Sequence, residues 1–253
     1  MKNVTESEIK EFVEQNIQLF HANRLKALSE TELKDLLKKK NPYLFRAKNI
    51  LTAQDLVASF LDAKLSSSEE KIFGDFLENL ALFIATKTLN ASKSSSHGVD
   101  FEYTKNKTRY LVTVKSGSNW GNSSQWGQLL RDFQTAIKVL KQSPQVKNVE
   151  CILGIGYGKA KLSIRRGIIK IINGQTFWYM ISGKENFYKE IINPIGYKSK
   201  EHNESFNVKK AELINKFTKE FVEEFCDKEG KILWNRLVEF NSENLTEEDK
   251  RFI

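Results

Sequence analysis

Two short stretches in the middle of the chain alternate apolar and polar residues, which is the pattern typical of β-strands. They cover residues 98–104 and 109–115, and the polar segment TKNKT joins them. Because a polar, turn-forming tip between two alternating stretches favours a tight reversal of the chain, the pattern predicts a β-hairpin.

The predicted hairpin carries charged side chains that could meet. Asp100 and Glu102 share one face of the first strand, and Thr113 and Lys115 share one face of the second, so antiparallel pairing can bring all four together. Two carboxylates beside a lysine suit Mg²⁺, which takes oxygen ligands and keeps water and substrate phosphates in its other positions. We therefore expect a magnesium site here, with the lysine touching phosphate or water.

Further strands are expected after the hairpin. Residues 148–157 form a largely apolar run suited to a buried strand, and residues 167–173 and 176–182 are expected to form two more strands around a tight turn at Asn173-Gly174. Together with the hairpin, these segments predict a sheet of five strands.

Helical periodicity fills most of the remaining chain. Capping patterns at Thr5 with Glu8, at Ser29 with Glu32 and at Thr52 predict three helix starts before residue 65. Further helices are expected over about 69–89 after a serine run, from within 119–125 to about 141, and beyond Gly183. These patterns predict an α/β fold with a mixed central β-sheet flanked by helices. We expect one domain over residues 1–253, with a helical N-terminal annex (1–65), a catalytic core (66–182) and C-terminal helices (183–253).

The charge balance indicates the class of partner. The formal net charge is +8 and the isoelectric point about 9.2, which favours a polyanion such as nucleic acid, although a basic surface can also serve solubility alone. Two cysteines argue against a disulfide scaffold and a cysteine-based zinc site and fit a reduced intracellular protein. The sequence has no recognisable signal peptide and no apolar run of about 18 residues, so we expect a cytoplasmic protein without a membrane partner.

The hairpin also carries a family resemblance. The segments VDFEY and YLVTVKSGSNWGNSSQ resemble type II restriction endonucleases of the PD-(D/E)xK nuclease superfamily, over roughly residues 70–140. The resemblance maps the metal-binding aspartate of the family onto Asp100 and its lysine onto Lys115. Val99 stands where the family usually has proline.

One position departs from the family in a way that matters for metal binding. Thr113 stands two residues before the lysine, where the second acid of the family usually lies. Glu102 on the hairpin and Glu78 on the preceding predicted helix are the two candidates to replace it, ranked equally. The alternative for Glu78 is an ordinary exposed helix glutamate.

The resemblance implies a restriction-endonuclease-like core and Mg²⁺-dependent cleavage of double-stranded DNA at a short specific sequence, leaving a 5′-phosphate. Such an enzyme would serve a restriction-modification system, and the two-fold symmetry of a palindromic site favours a homodimer. Two alternatives stay open, namely a repair or junction-resolving nuclease with the same core, and a catalytically inactive DNA-binding protein.

Two polar segments are candidates for contact with DNA. After the hairpin, amide and hydroxyl side chains that suit groove and phosphate contacts alternate with one aromatic residue; these are Asn119, Trp120, Asn122, Ser123, Ser124 and Gln125. The glycine-containing stretch 156–167 lacks the full spacing of an NTP-binding loop, but it carries four basic residues, Lys159, Lys161, Arg165 and Arg166. The alternatives are an Asn-rich helix cap for the first segment and a solvated turn for the second.

Overall fold

The computed structural model describes residues 4–143 and 146–252, which divide into two compact units. The first unit comprises the described residues up to Phe20 together with Glu70–Tyr197, and the second comprises His21–Glu69 and the described residues from Lys198 onward. The sequence boundary expected at residue 65 lies inside a helix that contributes to both units.

The first unit contains a mixed β-sheet, which agrees with the expected α/β class. Within the described residues the sheet has six strands: β1 (Ser92–Lys93), β2 (Phe101–Lys105), β3 (Thr108–Lys115), β4 (Asn148–Ile155), β5 (Ser163–Arg165) and β6 (Ile169–Asn173). Their spatial order is β1-β2-β3-β4-β6-β5, with β3, β4 and β6 parallel and the other neighbours antiparallel.

The helices are α1 (Glu6–Ser29), α2 (Leu33–Lys39), α3 (Pro42–Ala47), α4 (Ala53–Leu89), α5 (Ser123–Leu140), α6 (Gly174–Ser182), α7 (Phe187–Glu190), α8 (Ile192–Ile195), α9 (Ser199–Phe225), α10 (Trp234–Ser242) and α11 (Glu247–Phe252). None of the helices in the described part of the chain combines the length and the apolar character needed to span a bilayer.

The predicted hairpin is confirmed, because β2 and β3 pair with Phe101 opposite Val112. Asn106 and Lys107 connect the two strands, with φ angles of 50° and 62°. Positive φ at both central residues of a two-residue connection matches the twist of paired strands. The register therefore places Asp100, which directly precedes β2, and Lys115, the last residue of β3, at the same end of the hairpin.

The expected strand over 176–182 is wrong, and so is the expected tight turn at Asn173-Gly174. These residues form α6, which starts directly after β6. Phe177 and Ile181 are buried four residues apart, as on one face of a helix, and Gly183 ends the helix with a φ of 74°. The count of five strands is also corrected, because the short strands β1 and β5 carry no alternation long enough to detect.

Two predicted helix starts are confirmed and two are wrong. Thr5 caps α1 through the backbone N–H of Glu8 (3.2 Å), and Thr52 caps α4 through that of Asp55 (3.1 Å). Ser29 is the last residue of α1 rather than a cap. The serine run at 66–68 lies inside α4, where the Ser67 and Ser68 hydroxyls donate to the carbonyls four residues earlier, so the helix continues through it.

Helices cover both faces of the sheet in the first unit. On one face, α4 packs through Leu80 and Ile84 in the same core as Val112. On the other, α5 packs through Phe133 in the same core as Leu111. In the second unit, His21–Glu69 and the described residues from Lys198 onward share one core; its largest members include Phe45, Phe60, Phe217, Phe221 and Phe225.

Candidate active site

Asp100 is held directly before β2 by the neighbouring strand. Its backbone N–H donates to the Val112 carbonyl (2.9 Å), and its Oδ2 accepts from the Val114 N–H (2.6 Å). Burial raises the pKa of the Asp100 carboxyl, while the Val114 N–H and the charges of Lys115 and Lys93 oppose that rise. The carboxylate is therefore fixed in a desolvated position where a cation would stabilise it.

Glu78 reaches the same place from α4. Burial raises its pKa, and the negative charge of Asp100 raises it further, whereas Lys115 and Lys93 lower it. One turn earlier, a Cβ at Gly74 would lie 3.9 Å from the Ser116 Oγ, which is an ordinary van der Waals distance, so α4 passes beside the end of β3. The structure thus brings Glu78, Asp100 and Lys115 together.

Lys115 is the last residue of β3, and its position is set by neighbours on both sides. Its backbone carbonyl accepts from the Gly156 N–H (2.8 Å), which ties it to the segment after β4. Its Nζ lies 5.8 Å from the centre of the Trp120 ring. The ammonium group is therefore kept at the same edge of the sheet as the two carboxylates.

Thr113 has a structural partner. The side chain is 3 % exposed, and its hydroxyl donates to the Gly98 carbonyl at 2.6 Å. A carboxylate at this position would lie against that carbonyl oxygen, and neither group could donate a hydrogen bond to the other. The hydrogen bond therefore explains why this site accommodates a hydroxyl, and it joins β3 to the chain just before Asp100.

Glu102, the other candidate acid, lies in an ion pair on the hairpin. Its Oε1 is 2.8 Å from Nη2 of Arg109, and its side chain is 13 % exposed. Nη1 of Arg109 also donates to the Thr104 hydroxyl (3.0 Å), which anchors the guanidinium. The charges that act on Asp100 come instead from Lys115 and Lys93.

Lys93 was missed by the sequence reasoning. It lies on β1, and its charge lowers the pKa of both Glu78 and Asp100. The segment 91–96 reads as a small, polar connection, and only the pairing of Lys93 with Phe101 brings it beside the site. A lone lysine in such a stretch gives no sequence signal.

The donor set is small but suits one kind of metal ion. Among the described residues, no three His, Cys, Asp or Glu side chains cluster closely enough to hold a metal between them. Glu78 and Asp100 could hold Mg²⁺, because this ion commonly binds one or two carboxylates and takes its other ligands from water and substrate phosphates.

The polar segment after β3 divides into capping and exposed side chains. Asn122 and Gln125 form a reciprocal cap at the start of α5, with Gln125 N–H donating to Asn122 Oδ1 (3.0 Å) and Asn122 N–H donating to Gln125 Oε1 (2.9 Å). Asn119, Ser123 and Ser124 are exposed, and Trp120 is half-buried. The exposed side chains remain available for a ligand.

Trp126 links the basic segment 156–167 to the polar segment 119–125. Lys159, Lys161, Arg165 and Arg166 are exposed, and the Arg165 guanidinium lies 3.8 Å from the centre of the Trp126 ring. Trp126 in turn contacts Trp120 edge-on, with ring centroids 5.2 Å apart. Sequence reasoning missed Trp126, whose only signal is an aromatic residue in the first turn of a helix.

Comparison with known families identifies the class of protein. A family model described as type II restriction endonuclease EcoO109I matches residues 7–203, a range that includes Glu78, Asp100, Lys115 and both candidate DNA-binding segments. The chain belongs to this family of type II restriction endonucleases. The family implies a nuclease whose substrate is DNA. No curated protein matches the chain.

Proposed function

We propose that the protein hydrolyses phosphodiester bonds in double-stranded DNA at a short specific sequence, in a reaction that requires Mg²⁺. The observation that carries this proposal is the convergence of Glu78, Asp100 and Lys115 at one edge of the sheet. The family match supports the substrate class.

In this proposal, Asp100 and Glu78 hold the metal ion. Burial raises the pKa of both carboxyl groups, and two partly desolvated negative charges destabilise each other unless a cation lies between them. When bound, Mg²⁺ stabilises negative charge on the phosphate and lowers the pKa of bound water. Glu78 then takes the place of the acid that is absent at Thr113.

Lys115 supplies the positive charge that the carboxylates lack. Its ammonium group would hold the attacking water or stabilise the negative charge that develops on the pentacovalent phosphorane. The hydrogen bond from Gly156 to its carbonyl keeps the end of β3 in place during the reaction.

The exposed side chains around Trp126 form the proposed DNA surface. Arg165, Lys159 and neighbouring basic residues would neutralise phosphates, and Asn119 with the two exposed serines would reach the groove. Because Asn122 and Gln125 cap α5, their role would be to position this segment.

The experiment that tests this proposal is digestion of a plasmid of known sequence with Mg²⁺, followed by mapping of the ends. We expect discrete fragments with 5′-phosphates from the wild type, no cleavage from Asp100→Asn or Lys115→Met, and retained DNA binding in both variants. Arg131→Ala, on the exposed face of α5, is the matched surface control. Full activity of either site variant would overturn the assignment, and cleavage of branched DNA alone would indicate a junction-resolving nuclease.

A further inference from the structure

A cavity of about 710 Å³ lies beside the candidate active site in the first unit. It is built at the carboxyl ends of β4 and β6, where open α/β sheets commonly bind ligands. Gly156 belongs to its wall and also donates to the Lys115 carbonyl. The volume of the cavity falls in the range of roughly 300–1,000 Å³ that is typical of small-molecule sites.

One buried polar side chain in the cavity wall lacks a partner. Asn173 is 5 % exposed, and its Nδ2 has no hydrogen-bond partner among the described residues. It does not cap α6, although it occupies the N-cap position. A buried amide without a partner costs roughly 1–3 kcal/mol, and a ligand that accepts from Nδ2 would remove that cost.

The surroundings of Asn173 favour a negatively charged group. α6 starts at the cavity, so the unpaired N–H groups of its first turn lie beside Asn173. Lys159 lines the same cavity. Gly174 has a φ of 49°, and a side chain there would collide with the Gly158 carbonyl, so glycine lets the segment that carries Lys159 approach the start of the helix.

The remainder of the wall is aromatic and aliphatic. Phe73, Tyr157, Trp178 and Tyr188 line it together with three isoleucines, Ile191, Ile192 and Ile195. The Trp178 Nε1 already donates to the Gly156 carbonyl (2.8 Å), so this ring offers an apolar face rather than a donor. This part of the cavity therefore suits a planar group with apolar faces better than a second charged group.

We propose that this cavity binds one nucleotide, with its phosphate at Asn173, Lys159 and the start of α6, and its base against the aromatic wall. Two sources would supply the same chemistry: a free mononucleotide, or a nucleotide of bound DNA turned out of the helix. The site is separate from the Glu78 and Asp100 carboxylates, so nucleotide binding does not depend on the proposed cleavage.

The first test uses purified protein without DNA. Titration with each of the four deoxynucleoside 5′-monophosphates, followed by calorimetry, should give saturable binding for at least one of them, at least about tenfold tighter than for the deoxynucleoside or for inorganic phosphate. Asn173→Ala should weaken binding at least about tenfold without lowering the melting temperature, because Nδ2 has no protein partner to lose. Asn148→Ala, at the opposite end of β4, is the control and should bind as wild type.

The second test separates the two sources. A duplex with 2-aminopurine at successive positions should brighten on binding only if a base leaves the stack. Asn173→Ala and Lys159→Ala should abolish that signal even at protein concentrations that saturate the duplex, as anisotropy of a labelled duplex verifies. Lys159 is exposed, so Lys159→Ala should remain folded even if Asn173→Ala does not. The absence of binding in both tests, or binding unchanged in both variants, would overturn the proposal. Because free nucleotides need no cleavage, this outcome is distinct from a failure of the proposed nuclease activity.

Discussion

The Arg165 guanidinium lies 3.8 Å from the centre of the Trp126 ring. This contact joins β5 to the first turn of α5, and each of these elements contains part of one candidate DNA-binding segment. A cation over an indole face is worth about 0.5–2 kcal/mol, depending on how far the pair is desolvated. The ring thus positions an arginine whose charge still faces solvent.

Removal of this arginine should weaken DNA binding in a salt-dependent way. We expect Arg165→Ala to lower affinity several-fold and to reduce the slope of log K against log salt concentration by about 1, because one phosphate contact is lost. Fluorescence anisotropy over a series of salt concentrations measures both quantities. Arg131→Ala serves as the matched control, and an unchanged slope for Arg165→Ala would place Arg165 outside the DNA surface.

The two candidate acids can be separated with one pair of conservative variants. Glu78→Gln should lower the Mg²⁺-dependent cleavage rate by about 100-fold or more, because it removes a ligand charge beside Asp100. Glu102→Gln should stay within about threefold of wild type, because that carboxylate is neutralised by Arg109. A severe loss in Glu102→Gln with a normal rate in Glu78→Gln would reverse the assignment.

Thr113 should matter for stability more than for chemistry. Thr113→Val keeps the shape of the side chain but removes the hydroxyl that donates to the Gly98 carbonyl, so we expect a loss of about 1 kcal/mol in the free energy of unfolding. Denaturant unfolding measures this change. The cleavage rate per folded molecule should stay near wild type, and a strong loss of rate at unchanged stability would contradict the structural role.

The raised carboxyl pKa values predict a stability gain from neutral isosteres. Because burial raises the pKa of Asp100 and Glu78 above the unfolded values of 3.8 and 4.5, their charged forms destabilise the folded state at neutral pH. Asp100→Asn and Glu78→Gln should therefore melt at a higher temperature than wild type at pH 7 without metal. This gain should shrink as pH falls through the raised pKa values of the folded state, and it should vanish below the unfolded pKa values, where both groups are protonated in either state. A lower melting temperature at pH 7 would count against the buried, charged pair.

The oligomeric state on DNA follows from the proposed substrate. One active site cuts one strand, so two protein chains should bind one palindromic duplex, related by two-fold symmetry. Light scattering on the complex, with a duplex that contains the mapped site, gives the stoichiometry. A single chain per duplex that cuts both strands in one encounter would refute the dimer and leave the assignment of Asp100 and Lys115 untouched.

Local patterns in the sequence predicted the hairpin because alternation and turn chemistry are both encoded within about ten neighbouring residues. The prediction for 176–182 was wrong because it also relied on local pattern alone. The aromatic and aliphatic residues of this segment suit a strand, and only its packing in the core selects a helix. The serine run at 66–68 likewise favours a helix start locally, but its hydroxyls bond within the helix and do not interrupt it.

The candidate site divides into parts that were and were not predictable. Asp100 and Lys115 lie on one hairpin, so their proximity followed from strand pairing. Glu78 and Glu102 were equal candidates, because sequence does not give the distance between a helix and a sheet. The Arg109 partner of Glu102 could have been found, since it lies on the opposite strand of the same hairpin.

The second acid of the proposed metal pair belongs to α4 rather than to the hairpin. A metal site formed by one hairpin alone would stay assembled whenever that hairpin is folded. The pair of Glu78 and Asp100, in contrast, is assembled only while α4 is packed on the sheet. Brief partial opening of the helix would therefore switch the chemistry off while the strands remained folded. Activity would then report on local unfolding, and variants such as Leu80→Ala would lose turnover at temperatures well below those that melt the chain.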